Sequence, residues 1–196
     1  MVSKQLSNYT RMIFKKVLLI LMFGSILSCN TSLSTKEKDS YIVKGNEIAQ
    51  ASFNELSSQL MAQMKQGGPT QAIPFCNIQA LPITNQLSEK YNVTIKRTSD
   101  KIRNPDNKAT PRELEIIEDY KSLSSIKNIL SPIVELDNNN KKHYYAPVLL
   151  KSNCIVCHGE LSKSTDSIIK VLYPNDLAIG YKEGNLRGIW SITFNK

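Results

Sequence analysis

Near the end of the 196-residue chain two cysteines stand three positions apart with a histidine directly behind the second: Cys154-Ile155-Val156-Cys157-His158, followed by Gly159. Each thiol of such a pair can add across one vinyl group of a haem. Two thioether bonds then anchor the macrocycle, and the histidine lies under the iron as its proximal ligand. Other uses of the pattern fit less well. A redox CxxC pair does not need the histidine, and a zinc site wants a second Cys or His pair, whereas the two remaining cysteines, Cys29 and Cys76, are isolated. One covalently bound haem c is therefore expected, and the rest of the chain has to be built around it.

The N-terminus carries a second signal. Lys15 and Lys16 precede an apolar run of 11 residues, Val17 to Leu27, short for a membrane span and suited to the h-region of an export signal. Ile26-Leu27-Ser28-Cys29 closes that run as a bacterial lipobox does. Residues 1–28 are thus expected to be a lipoprotein signal peptide and Cys29 the lipidated first residue of the mature chain. The alternatives are a plain secretory signal or a short anchor helix with an incidental cysteine. Covalent c-type haem is assembled outside the cytoplasm, so leader and motif agree on an exported, periplasmic or cell-envelope lipoprotein whose lipid holds it to the membrane. The formal charge of +8 includes Lys4, Arg11, Lys15 and Lys16, so cleavage after residue 28 leaves +4, and no nucleic-acid partner is expected.

The full chain is 41% hydrophobic, and what remains once the leader is set aside is large enough for a single core. Residues 30–40 are polar and aperiodic, and 29–44 are expected to be a tether. From Tyr41 to Lys65 the positions Ile48, Ser52, Leu56, Leu60 and Met64 recur at helical spacing, flanked by Ala49, Phe53 and Met61, until Gly67-Gly68-Pro69 stops the pattern. A second helical pattern, about Thr70 to Lys90, places Ile73, Cys76, Ala80, Ile83 and Leu87 on one face; Pro74 and Pro82 suggest a kinked or two-piece helix. Val93 to Arg97 has strand character. Thr110-Pro111-Arg112-Glu113 combines an N-cap, a proline at N1 and a glutamate at N3, so a helix should start at Pro111 and bury Leu114, Ile117, Tyr120 and Leu123 or their neighbours. Ile133–Leu136 and His143–Leu150 read as a hairpin around Asp137-Asn138-Asn139-Asn140. Ser162 to Leu172 reads as a short helix, and Gly180, Gly184 and Gly188 punctuate a glycine-rich hairpin before a last strand, Ile189 to Phe194. The sum is α+β: an antiparallel sheet of about four strands with helices mainly in the N-terminal half.

Several side chains compete for the second face of the iron. Met61 and Met64 lie in a helical stripe and read as core; His143, beside Lys141 and Lys142, reads as an exposed strand residue. Cys76 is either an inert small hydrophobe or a thiolate ligand, the residues alone favouring the former. Arg97, Lys101 and Arg103 are a basic cluster that suits either a solvated face or the carboxylates of a haem.

Separated segments occurring in one order carry a resemblance: Ala72-Ile73-Pro74-Phe75-Cys76, Lys96-Arg97-Thr98-Ser99 running on to Arg103-Asn104-Pro105-Asp106-Asn107, the CxxCH motif, Tyr173-Pro174-Asn175-Asp176, Ala178-Ile179-Gly180-Tyr181, Gly184 and Leu186-Arg187-Gly188. Together they resemble, over roughly residues 45–194, the exported single-haem "c-type haem family", whose PAS-like haem domain was long catalogued as of unknown function. The resemblance implies a PAS-like haem domain over 45–196, with Cys154 and Cys157 binding the haem covalently, His158 on one axial side and Cys76 on the other. It also implies, less strongly, that Arg97 and Arg103 face the propionates. Thr110-Pro111-Arg112-Glu113 departs from the family, where a tryptophan or similar residue is expected before the glutamate.

A His/Cys ligand set favours ferric iron, a low potential and a six-coordinate, low-spin resting state without a vacant position for substrate. The leading expectation is a redox or gas-responsive sensor module that signals to a partner protein. A low-potential electron-transfer cytochrome is the alternative, and a small haem enzyme such as a peroxidase, with His143 as its acid or base, is the third.

Overall fold

A computed structural model describes residues 32–195 apart from Lys127, so the leader and Cys29 lie outside the described residues. Helix α1 runs Thr35–Tyr91 and is interrupted once, at Gly67 (φ −156°) and Gly68 (φ +65°), which divides it into arms of residues 35–66 and 69–91. It starts ten residues before the domain boundary expected at 45. Over residues 35–44 the polar tether expected for 29–44 is therefore corrected to helix. Ser34 accepts from the Glu37 N–H while the Glu37 carboxylate accepts from the Ser34 N–H at 2.9 Å, a capping box that starts the helix there. Tyr41 then packs its ring 4.8 Å from Phe194. The second arm is helical throughout despite Pro74 and Pro82. The kink expected at those prolines does not form, and the interruption lies at Gly67-Gly68, where the first helical pattern was expected to stop and where a residue with φ +65° costs least as glycine.

Four antiparallel strands follow: β1 (Val93–Thr98), β2 (Ile133–Leu136), β3 (Lys142–Leu149) and β4 (Leu186–Phe194), in the order β1-β4-β3-β2. The last strand enters the middle of the sheet, pairing Ile192 with both Ile95 and Tyr144, and Trp190 with both Arg97 and Ala146. Because strand residues alternate in face, the adjacent Tyr144 and Tyr145 serve different cores. Tyr144, Ile95, Ile192 and Trp190 pack on Ile48, Ile83 and Leu87 of α1, whereas Tyr145 and Ile189 pack on Ile116, Ile117 and Tyr120 of helix α2 (Pro111–Ser125). The start of α2 is as expected, with Thr110 and Glu113 completing a capping box, but Ile116 takes the buried place anticipated for Leu114, which is exposed.

The sheet is thus layered between α1 and α2. A short helix α3 (Ile155–His158) carries the CxxCH motif, and α4 (Lys163–Leu172) packs Ile169 with Tyr173 against Ile73 on the second arm of α1. Residues 173–185 form turns, not the first strand of a hairpin; β4 pairs with β3 and β1. Among the described residues no helix is long and apolar enough to cross a membrane.

A candidate haem site

Where the arms of α1 leave the sheet, they enclose a cavity of about 300 Å³ with the ends of β1, β3 and β4 and the turn before α3. Phe53, Leu60, Ile73, Val148 and Trp190 give it apolar walls. The lower half of the first-arm stripe, including Leu56, Met61 and Met64, lines this space, so those methionines are cavity residues and not closed core. Cys76 reaches it from the second arm, and Cys154, Cys157 and His158 from α3 and the turn before it. Sequence positions nearly eighty residues apart are brought to one space.

His158 is held in one orientation. Its Nδ1 lies 2.8 Å from the Ala178 carbonyl oxygen, which can only accept, so Nδ1 carries the proton and Nε2 is left with a free lone pair. Tyr181 crosses the imidazole edge-on at 6.4 Å between centroids, and the Tyr181 N–H donates to the His158 carbonyl at 2.9 Å. Burial, then the positive Arg103 and Arg187, push the imidazole pKa down to about 3. The ring is therefore neutral at ordinary pH, the form in which histidine ligates metals. Burial raises the thiol pKa of Cys76, against the pull of Arg97, and also that of Cys157, against Arg103.

Arg97 and Arg103 both line the cavity but are used differently. The Nη2 of Arg103 donates to the Cys157 carbonyl at 2.7 Å, to Asp176 at 2.9 Å and to the Ala178 carbonyl at 3.3 Å. It fastens the motif to the 176–178 turn. Arg97 lies with its guanidinium 5.9 Å from the Trp190 ring centre and, among the described residues, has no hydrogen bond or ion pair. Lys101 stands away from the cavity, its ammonium 5.0 Å from the Tyr181 ring. His143 is in the hairpin, its Nε2 3.2 Å from Asp137 and its Nδ1 3.0 Å from the Thr193 hydroxyl, and takes no part in the cavity.

Sequence reasoning missed the roles of Asp176, the Ala178 carbonyl and Arg187. The segments holding them entered only as part of the family resemblance, with no role attached to these residues, because a backbone carbonyl leaves no mark on a side-chain pattern. The residues present suit a haem: two free thiols and an oriented, neutral imidazole on one wall, a third thiol on another, apolar surfaces between, and a guanidinium with no carboxylate.

These features define an α+β domain, consistent with a PAS-like fold, that presents a CxxCH motif to an apolar cavity. Its fold is similar to the crystal structure of the cyanobacterial heme-protein Tll0287, with a TM-score of 0.56 at 18% identity over 78% of this chain and 96% of that one. The model of the Tll0287-like family matches residues 8–195, and the chain belongs to that family. No sequence among curated proteins matches it.

Proposed function

We propose that this chain is a haem c protein in which Cys154 and Cys157 carry the haem covalently, His158 and Cys76 are the axial ligands, and ligand release at Cys76 makes the domain a redox or gas-responsive sensor. The observation that carries the reading is the convergence of Cys76 with Cys154, Cys157 and His158 on one cavity. The likeness to a protein described as a heme-protein supports it. When bound, such a haem supplies a one-electron couple and, with the thiolate gone, a position for a diatomic gas.

The chain's own residues divide the work. The 176–181 turn and Arg103 keep His158 and the Cys157 backbone in place, so the proximal side is rigid. Cys76 sits on the arm that follows the Gly67-Gly68 break, a different element from the motif. Its departure can move that arm and leave His158 fixed. The apolar walls would lie against the body of the haem. In this reading Cys29 bears the lipid, the domain is exported, and a protein partner receives the signal from the moving arm.

The test is addition of carbon monoxide to the chemically reduced protein. A sensor of this kind loses Cys76 on reduction and shows a carbon-monoxide spectrum; a plain electron carrier keeps both ligands and its spectrum does not change.

A further inference from the structure

Three arginines line the cavity, and only one has a carboxylate partner. Arg103 is neutralised by Asp176 at 2.9 Å. Arg187, at the start of β4, donates through Nη1 to the Lys101 carbonyl at 2.9 Å and lies 5.6 Å from the Tyr181 ring centre. Arg97, near the end of β1, lies with its guanidinium 5.9 Å from the Trp190 ring centre and makes no hydrogen bond among the described residues. Neither makes an ion pair among the described residues. Burial lowers the pKa of both, and for Arg97 the nearby Arg187 adds to the effect. Cys76, the acid beside Arg97, is reserved for iron in the reading above.

Two half-buried guanidiniums that line the cavity, close enough to repel and without an ion pair among the described residues, gain from an anion that joins them there. Their placement on neighbouring strands fixes them against a rigid sheet, and each can grip a carboxylate with two parallel hydrogen bonds. The charge left over in the cavity, two positive arginines, equals that of two carboxylates. The remaining walls are apolar. The ligand they suit is an apolar body that carries two carboxylates.

We propose that Arg97 and Arg187 are a carboxylate clamp that holds the two haem propionates, and that Arg103, expected from sequence to share this task, instead positions the attachment motif. The proposal rests on the haem reading. Arg187 is thereby a cofactor-binding residue and Arg103 a positioning residue.

The experiment uses the full chain matured with the c-type haem machinery. Haem that stays with the denatured polypeptide shows first that the underlying reading holds; its absence overturns that reading before the clamp is reached. Carboxylate stretching bands are then compared in redox-difference infrared spectra of wild type, Arg97→Gln, Arg187→Gln and the surface control Arg112→Gln. The clamp predicts shifted carboxylate bands and a reduction potential that becomes pH-dependent near neutrality in the first two variants, with the control like wild type. Arg97→Lys and Arg187→Lys, which keep the charge, serve where a glutamine variant does not fold and should restore most of the wild-type pH profile. Bands and profiles in the Arg97 and Arg187 variants that coincide with those of the control overturn the clamp while leaving the haem in place.

Discussion

Arg103 and Asp176, 73 residues apart, meet in an ion pair of 2.9 Å whose side chains are only 13% and 6% exposed. The other oxygen of Asp176 accepts the Ala178 N–H at 2.8 Å, and the Ala178 carbonyl in turn holds His158. One buried pair thus ties the motif histidine to the turn that orients it. Removing one partner leaves the other charged and desolvated. Arg103→Gln should cost about 3 kcal/mol of unfolding free energy, measured by urea denaturation, and a loss below about 1 kcal/mol would show that the pair is not structural.

Glu113 anchors α2 to β1. It accepts from Lys96 at 2.8 Å and from the Thr110 N–H at 2.7 Å and is 5% exposed. Burial alone would raise its pKa, but the Lys96 ammonium, the Thr110 N–H and the Ser191 hydroxyl outweigh it and hold the carboxyl below its usual value. A carboxyl depressed on folding stabilises above its unfolded pKa of about 4.3 and loses that contribution as pH falls through the folded value. Glu113→Gln should therefore cost about 2 kcal/mol at pH 7, and the gap to wild type should close below about pH 4. Parallel stability curves across that range would contradict this.

Gly188 passes so close to β1 that a Cβ there would fall on the Thr98 carbonyl oxygen. Backbone cannot step aside as a side-chain end can, so Gly188→Ala must spread β1 from β4. A loss of about 2–3 kcal/mol is expected from overpacking, read from the denaturation midpoint, and the cavity walls at Arg97 and Arg187 should loosen with it.

Ser34 and Glu37 cap a helix where the composition suggested a tether. Ser34→Ala should destabilise the domain by about 1 kcal/mol, and amide exchange should quicken over residues 35–38. Equal and fast exchange there in both proteins would return the segment to a tether.

Most of the α2 start, the β2–β3 hairpin and the four-strand count was legible because local rules decide them: Thr110-Pro111-Arg112-Glu113 satisfies its own N–H groups, and Asp137 accepts from the N–H groups of Asn139 and Lys141 to close its turn. The same capping rule was available at Ser34-Thr35-Lys36-Glu37 and was masked by polarity. Pro74 and Pro82 misled in the other direction, since packing of Ile73, Ile83 and Leu87 keeps that arm helical despite the lost hydrogen bonds. In the site, the motif announced Cys154, Cys157 and His158, and a family resemblance was needed for Cys76, because nothing in a helical stripe separates a cavity-lining thiol from a core one. The exchange of roles proposed for Arg103 and Arg187 depends on which of them meets Asp176, a contact between residues far apart in the chain.

The central claim, a haem held between His158 and Cys76, is tested most directly by electron paramagnetic resonance of the ferric protein and its Cys76→Ala variant, both matured with c-type haem machinery. A low-spin thiolate signature in wild type that disappears in Cys76→Ala is the predicted result. Identical spectra from the two proteins would contradict it and remove Cys76 from the iron.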